Sequence, residues 1–134
     1  DGTAMGELER TVAGLAPELR RRVRLLGRLS PHDVAATMAV SGVFLMTSHP
    51  GYEGFPRVLV EAMATGLPAV VTHGSDTGGL VDQGRNGFVC GREPDDLARA
   101  VEHAVDVDRS RAHASVARFS APRLVARILG GTTR

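Results

Sequence analysis

The sequence of 134 residues has no Lys, no Trp and a single cysteine, Cys90. One cysteine cannot form an internal disulfide or a cysteine metal cluster, and it indicates a reducing compartment. Without Lys, the chain cannot use a lysine amine as a nucleophile or a base. Aromatic residues make up only 4% of the chain, which argues against the stacking platforms that bind single-stranded nucleic acid.

An excess of charge of one sign and long apolar runs are also lacking. The formal net charge is +1, so no strong field attracts a polyanion, and we expect no nucleic-acid partner. No apolar run reaches the length of a membrane span, and the sequence begins with Asp1 and shows no signal-peptide pattern. We therefore expect a cytoplasmic protein without a transmembrane segment in this chain, at most peripheral to the inner face of the membrane.

Hydrophobic residues make up 43% of the chain, a share typical of one globular domain. Their spacing predicts helices over residues 4–16, 30–40, 56–65, 94–106, 109–119 and 122–129, with a helical turn over 80–83. Short apolar runs predict strands over 22–27, 43–46, 69–72 and 88–90.

Alternation of strands and helices predicts an α/β fold, a Rossmann-like parallel sheet with flanking helices. In such sheets ligands bind at the carboxyl ends of the strands. The loops Ser48–Phe55 and His73–Gly79 each follow a predicted strand. We therefore expect these two loops to converge on one crevice.

The segment from Glu53 to Pro68 is the most informative part of the sequence. Its two acids, Glu53 and Glu61, lie eight positions apart around the start of a predicted helix, with Gly54 and Pro56 at its entry. Glycine allows a close backbone approach, and proline suits the first helical position. A helix N-terminus attracts phosphate groups, and carboxylates accept hydrogen bonds from hydroxyls. A diphosphate with hydroxyls on both sides describes a nucleotide sugar, which the spacing therefore indicates.

The same spacing has a simpler interpretation. Acids favour the first turn of many helices because of the helix dipole. Arg57 and Glu61 are four positions apart and could form a surface ion pair worth a few tenths of a kcal/mol, roughly 0.2–0.5. On spacing alone, both the nucleotide-sugar site and an ordinary amphipathic helix remain open.

Other polar residues give weaker signals. His49 lies in the loop before Glu53 and is either a contact to donor or acceptor or simply a loop residue. The remaining histidines show no spacing typical of metal ligands, and we expect no metal site. Cys90 fits a buried strand position better than a nucleophile, and Ser75 and Asp76 fit a turn better than a catalytic triad.

The segment from Val43 to Val89 resembles the donor-binding domain of retaining glycosyltransferases of family 4, which have the GT-B fold. The family pattern is Glu-Gly-Phe, five residues, then Glu-Ala-Met-Ala-x-Gly-x-Pro. It is matched by Glu53-Gly54-Phe55, Glu61-Ala62-Met63-Ala64, Gly66 and Pro68. Further similarity covers the whole chain, through Asp1-Gly2, Gly27-Arg28-Leu29, Gly84 to Val89 and Phe119-Ser120.

The resemblance implies transfer of a hexose from a nucleotide-diphosphate sugar to an acceptor, with retained anomeric configuration and without a metal or other cofactor. It assigns Glu53 to the donor sugar and Glu61 to the ribose. It further implies that backbone N–H groups around Phe55, Arg57 and Val58 face the diphosphate, with Gly54 allowing the approach. The acceptor is a sugar, lipid or small molecule that the resemblance does not define, and the process is polysaccharide or glycoconjugate biosynthesis.

The sequence departs from the family pattern in two ways that bear on the implied function. The stretch Gly74–Val81 lacks the Glu of the family's Gly-Gly-x-Pro-Glu. Residues 1–134 also correspond only to the carboxy-terminal, nucleotide-sugar-binding domain without its first strands, so we expect the acceptor domain to be missing and the fragment alone to be inactive. The alternatives are a non-catalytic module that binds a nucleotide or a partner, and another GT-B enzyme such as a sugar-nucleotide epimerase.

Overall fold

The structure is a computed structural model, and it describes residues 4–52, 54–76 and 78–120. Contacts divide the chain into two compact units, Asp1–Val34 and Ala35–Arg134. The helices are α1 (Met5–Ala13), α2 (Pro17–Arg20), α3 (Pro31–Val40), α4 (Arg57–Ala64), α5 (Pro94–Ala104) and α6 (Arg109–Val116), with a 3-10 turn at Ala117–Phe119. The strands are β1 (Phe44–Met46), β2 (Ala69–Thr72) and β3 (Gly87–Cys90).

Most predicted elements are confirmed. The helices predicted over 30–40, 56–65 and 94–106 correspond to α3, α4 and α5, and three of the predicted strands correspond to β1, β2 and β3. The helix predicted over 109–119 is α6 with the 3-10 turn, and the one predicted over 122–129 lies outside the described residues. The helix predicted over 4–16 is α1, which ends at Ala13 with Gly14 as its C-cap; α2, which begins at Pro17, is not among the predicted helices.

The strand predicted over residues 22–27 is wrong. No strand forms there, and in the described residues the sheet contains only β1, β2 and β3. Val23, Leu25 and Leu26 are 38–51% exposed. Short apolar runs become strands only where a neighbouring strand accepts and donates the backbone hydrogen bonds, and the apolar run cannot reveal whether such a neighbour is present.

Helix α3 begins where Ser30 predicts an N-cap. The Ser30 hydroxyl accepts a hydrogen bond from the Asp33 amide at 3.1 Å, and it donates to the Asp33 carboxylate at 2.7 Å. Pro31 occupies the first helical position. Side-chain caps of this kind satisfy amides that have no partner within the helix.

The sheet is parallel in the order β1-β2-β3. One face carries Leu59 and Met63 of α4 and Ala112 and Val116 of α6, packed against residues of β1 and β2 that include Val71. The opposite face carries Ala100 and Ala104 of α5 against Val70. Helices thus cover both faces of the sheet, which confirms the predicted α/β architecture.

The connection from β2 to β3 departs from the predicted alternation, and the helical turn predicted over 80–83 is wrong. Asn86, which is buried, accepts a hydrogen bond from the Asp82 amide at 2.7 Å and donates to the Leu80 carbonyl at 3.0 Å. Gln83 forms a parallel bridge to Gly87 instead. The Asn86 side chain therefore takes the backbone groups that a helical turn would need.

Gly87 begins β3 at a point where the backbones of two strands come unusually close. A Cβ at this position would lie 2.0 Å from the carbonyl oxygen of Ala69 in β2. No side chain fits between strands at that distance. The two residues of this Asn-Gly pair thus have different structural roles. Asn86 stabilises the connection through its hydrogen bonds, and Gly87 allows β3 to pair closely with β2.

Helix α6 is held by polar contacts as well as apolar ones. Asp108 caps the helix itself by accepting from the Ser110 amide at 2.9 Å. Arg109 donates to the carbonyl of Ser41, just after α3, at 2.8 Å. His113 lies 2.7 Å from the Ala64 carbonyl at the end of α4.

We expect Gly87→Ala to lower the free energy of unfolding by about 1–3 kcal/mol or more, because the added methyl group forces β2 and β3 apart. Urea unfolding of the purified protein measures this. Gly42→Ala is the matched control, since no atom lies within 4 Å of its added Cβ. Equal stability of the two variants would contradict the close strand approach.

A pH dependence follows from the cap of α6. The pKa of Asp108 lies below its usual 3.8, because the Ser110 hydroxyl and then its amide donate to the carboxylate. A carboxyl whose pKa falls on folding stabilises the native state above its unfolded pKa, and this contribution is lost as the pH falls through the folded pKa.

We therefore expect Asp108→Asn, which keeps a capping side chain, to melt at a lower temperature than the wild type at neutral pH. The gap should close as the pH falls below 3.8, where both side chains become neutral. Thermal unfolding of both proteins from neutral pH downward measures the gap. A gap that stays constant with pH would show that the carboxylate charge plays no part.

Candidate active site

The carboxyl ends of the three strands define one edge of the sheet. β1 ends at Met46, β2 at Thr72 and β3 at Cys90. The segments 47–56, 73–79 and 91–93 leave from these ends. In parallel α/β sheets this edge is where ligands bind, so these segments frame the candidate site.

The loops after β1 and β2 are in direct contact. Gly74, at φ +83°, packs so closely on Pro50 that a Cβ would lie 2.7 Å from the proline Cβ. The buried Ser75 hydroxyl donates to the Ser48 carbonyl at 2.8 Å and lies 2.8 Å from the Thr72 hydroxyl. The predicted convergence of these loops is therefore present in the structure.

The segment after β3 also reaches the loop after β1. Nη1 of Arg92 donates to the carbonyl oxygen of Thr47 at 2.9 Å, and Nη2 donates to that of Ser48. The sequence analysis did not identify Arg92. No local pattern reveals a side chain that contacts the backbone 44 and 45 positions earlier.

Helix α4 begins after the buried residue Pro56. The Arg57 amide donates to the Phe55 carbonyl at 2.9 Å. This amide is therefore bonded within the chain, and its role at a diphosphate stays a prediction. The amides of Phe55 and Val58 remain the predicted donors to such a group.

The Phe55 side chain stands at the junction of three segments. Its ring centroid lies 5.4 Å from that of Phe119 at an interplanar angle of 55°, an arrangement favoured by aromatic pairs. A Cβ on Gly78 would lie 3.2 Å from the Phe55 ring. Phe55 is nevertheless 51% exposed, so an apolar surface remains open beside the start of α4.

Glu61 lies on the exposed side of α4, because Leu59, Ala62 and Met63 form the buried side. The described part of the chain includes both Arg57 and Glu61, and no ion pair joins them. The surface ion pair predicted as one alternative is thus not formed, whereas the burial of Leu59, Ala62 and Met63 shows that α4 is an amphipathic helix.

The other predicted site residues lie at or before the start of α4, and one of them falls outside the described residues. His49 and Gly54 lie exposed in the segment before α4, and Val58 is 40% exposed on its first turn. Glu53, the predicted catalytic residue, lies outside the described residues. The roles assigned to all of these residues stay predictions.

The turn after β2 contains Asp76, within the stretch that lacks the family's Glu. One carboxylate oxygen of Asp76 accepts from the Val81 amide at 2.7 Å. The other is buried and, among the described residues, has no hydrogen-bond partner. Ser75 and Asp76 thus serve the turn, as predicted, and no histidine hydrogen-bonds to either of them in the described residues.

Cys90 stands at the end of β3. Partial burial, and then the nearby charge of Asp96, raise the pKa of its thiol above 9.0. A raised pKa keeps the thiol protonated and unreactive, which agrees with its predicted role as a strand residue.

A cavity of about 350 Å³ lies between the β2–β3 connection and α6. Its lining includes Arg85, Arg111 and Arg118. None of the predicted site residues is among the described residues that line it. The framed edge, and not this cavity, therefore contains the family motif.

Comparisons with known proteins identify the family of the chain. The family profile described as "Glycosyl transferases group 1" matches residues 1–106. Two related proteins are named, provisionally, as the colanic acid biosynthesis glycosyltransferase WcaL. The protein from Salmonella typhimurium strain LT2 is 36% identical over 76 residues, 54% of this chain and 19% of its own length. The one from Escherichia coli strain K12 is 35% identical over 88 residues, 63% of this chain and 21% of its own length.

The fold is also similar to that of solved structures. Crystal structures of Anabaena Alr3699/HepE, one in complex with UDP and glucose and one with UDP-glucose, superpose with a TM-score of 0.71 at 28% identity. The match covers 94% of this chain and 36% of the HepE chain. This chain thus spans about a fifth of the WcaL relatives and about a third of HepE. It belongs to the family of glycosyl transferases group 1 and has the α/β architecture of part of a GT-B glycosyltransferase.

Proposed function

We propose that the chain is the donor-binding part of a retaining glycosyltransferase that takes a hexose from a nucleotide-diphosphate sugar. The observation that carries this proposal is the position of the Glu-Gly-Phe…Glu-Ala-Met-Ala motif. Its Glu-Gly-Phe part belongs to the segment between β1 and α4, at the carboxyl edge of the sheet, and its second glutamate, Glu61, lies on the exposed side of α4. Family membership makes a nucleotide sugar the expected ligand of that edge.

The proposed ligand lies along the start of α4. The diphosphate occupies the N-terminal end, where the helix dipole and the amides of Phe55 and Val58 stabilise negative charge. Glu61 lies four residues after Arg57, the first residue of α4, which is about 6 Å along the helix axis at 1.5 Å per residue. Its exposed carboxylate then accepts hydrogen bonds from the ribose hydroxyls.

The reacting sugar lies on the other side of the diphosphate. Glu53 precedes the helix in sequence and accepts hydrogen bonds from the hexose hydroxyls in the proposed complex. The C1–O bond to the diphosphate breaks and its electron pair stays on the diphosphate oxygen, while the acceptor oxygen bonds to C1 on the same face and its hydroxyl proton passes to the departing diphosphate. Stabilisation of the departing diphosphate charge is the main catalytic contribution.

The relatives favour particular substrates. UDP-glucose is bound in a HepE structure, so we propose a uridine diphosphate sugar as donor. The WcaL proteins are named for colanic acid biosynthesis, so we propose an acceptor from polysaccharide or glycoconjugate synthesis, presented by an acceptor domain outside these residues. Among the described residues no helix is long and apolar enough to cross a bilayer. We propose a cytoplasmic site of action, with any membrane contact peripheral.

We expect Glu61→Ala to weaken UDP binding by about 1.5–3 kcal/mol, because a hydrogen bond to a charged group is lost. This corresponds to a rise of roughly 10- to 150-fold in Kd. Glu53→Ala should instead lower turnover of the UDP-sugar with UDP binding nearly unchanged. Calorimetry with UDP, and UDP release from UDP-glucose and other UDP-sugars by the complete gene product, measure the two effects.

Glu102→Ala is the matched control, because Glu102 is an exposed glutamate on α5. Wild-type constants for both site variants would disprove the assignment of the site. UDP binding without any sugar transfer or donor hydrolysis would favour the binding module. Conversion of one UDP-sugar into its epimer would favour the epimerase.

We also expect activity without a divalent metal. The described residues contain no group of three His, Cys, Asp or Glu side chains placed to hold one, and the amides at the start of α4 can offset part of the diphosphate charge. UDP-sugar turnover measured with excess EDTA should equal turnover without it. Activity that disappears with EDTA and returns with Mg²⁺ or Mn²⁺ would refute this.

A further inference from the structure

One hydrogen-bonded network joins the ends of all three strands. Thr72 ends β2 and Ser75 lies in the loop after it, Thr47 and Ser48 follow β1, and Arg92 follows β3. The Ser48 carbonyl accepts from both the Ser75 hydroxyl and the Arg92 guanidinium, and the Thr47 carbonyl accepts from Arg92 as well. We name these five residues the strand-end clamp.

The strand-end clamp holds the chain immediately before the proposed sugar-binding segment. Residues 49–55 run from Ser48 to the start of α4. Their far end is fixed by α4, whose Leu59 and Met63 are fully buried. Their near end is fixed by the carbonyls of Thr47 and Ser48. The clamp thus fixes the near end of this segment, the contact of Pro50 with Gly74 supports its first part, and the packing of α4 fixes its far end.

Arg92 contacts backbone carbonyl oxygens and, among the described residues, no carboxylate forms an ion pair with it. A guanidinium presents several donors in a fixed planar arrangement, whereas a lysine ammonium is a single flexible point charge. Two adjacent carbonyls are thus held by one rigid group.

We propose that Arg92 is a positioning residue for sugar transfer, acting through the backbone of Thr47 and Ser48 on the segment that carries Glu53. This rests on the proposed function. The ribose side of the donor depends on Glu61, which the core packing of α4 holds in place. Loss of Arg92 should therefore impair transfer of the sugar much more than binding of the nucleotide.

The test compares Arg92→Ala, Arg92→Lys and the wild type as complete gene products. UDP affinity, UDP release from the preferred UDP-sugar, and the thermal midpoint are measured for each. Arg99→Ala is the matched control, because Arg99 bonds to Asp96 at 2.6 Å within α5 and not to the site segment. Hydrogen–deuterium exchange of residues 47–56 without ligand gives a readout that needs no activity.

For Arg92→Ala we expect kcat to fall about 10- to 100-fold, the cost of misplacing a reacting group by an ångström or so. The Kd for UDP should change less than twofold, with an unchanged thermal midpoint and faster exchange over 47–56. Arg92→Lys, which can reach one carbonyl, should recover part of kcat. Arg99→Ala should behave as the wild type.

The proposal is overturned if Arg92→Ala keeps wild-type kcat, or if UDP affinity falls in parallel with kcat. Should Arg92→Ala fail to fold, the same two criteria apply to Arg92→Lys. If the wild type binds no UDP and uses no nucleotide sugar, the proposed function fails. Exchange over 47–56 then decides on the clamp, and unchanged exchange in Arg92→Ala refutes it.

Ser75 provides an independent check, because it shares the Ser48 carbonyl with Arg92. We expect Ser75→Ala to lower kcat in the same direction. Combined with Arg92→Ala, its effect should be non-additive, as is usual for two groups that share one partner. Strictly additive losses in kcat would contradict a common action through Ser48.

Discussion

Burial of β2 on both faces is the constraint on which the second unit depends. All four residues of β2, Ala69–Thr72, have no exposed surface. Because side chains alternate along a strand, Val71 faces α4 and α6 while Val70 faces α5. Each fully buried aliphatic side chain contributes about 1.5–3 kcal/mol. Both edges of β2 are paired, with Ala69 opposite Phe44 of β1 and Gly87 of β3, so the position of β2 fixes where its neighbours end.

The arrangement at the carboxyl edge follows from this fixed register. Thr72, the last residue of β2, directs its hydroxyl toward Ser75, and Ser75 contacts the chain after β1. The polar groups at the edge are thus continuous with the buried strand. The segment that carries the family motif is irregular, yet both its ends join parts of the molecule that cannot move easily. Rigid support of this kind is what a precisely placed ligand requires.

The sequence predicts correctly those helices and strands whose boundaries are determined by neighbouring residues. The run at 69–72 identifies β2 to the residue, because Pro68 and the loop glycine Gly74 bound a short apolar stretch. Ser30 and Pro31 likewise locate the start of α3. Predictions fail where the outcome depends on a distant partner. The run at 22–27 has the composition of a strand but no neighbour, and the turn at 80–83 is decided by the side chain of Asn86.

In the candidate site, too, features set by local pattern are predictable from the sequence and features set by distant contacts are not. Spacing places Glu61 on the open side of α4 because helical periodicity fixes which residues are buried. It cannot show that the Arg57 amide is already bonded to Phe55, since this depends on the dihedral angles of the turn. Nor can it show that Phe55 meets Phe119 or that Arg92 reaches Thr47, because these contacts span 45 positions or more.

The late position of α6 in the chain has a consequence for folding. Leu59 and Met63 of α4 pack on β2 and also on Ala112 and Val116 of α6, and His113 of α6 bonds to Ala64 across 49 positions. The family profile ends at residue 106, before α6 begins. Contacts of such long range slow folding, and apolar surface that stays exposed during folding favours self-association. Docking of this one short helix therefore shortens the time during which α4 exposes apolar side chains to other copies of the chain.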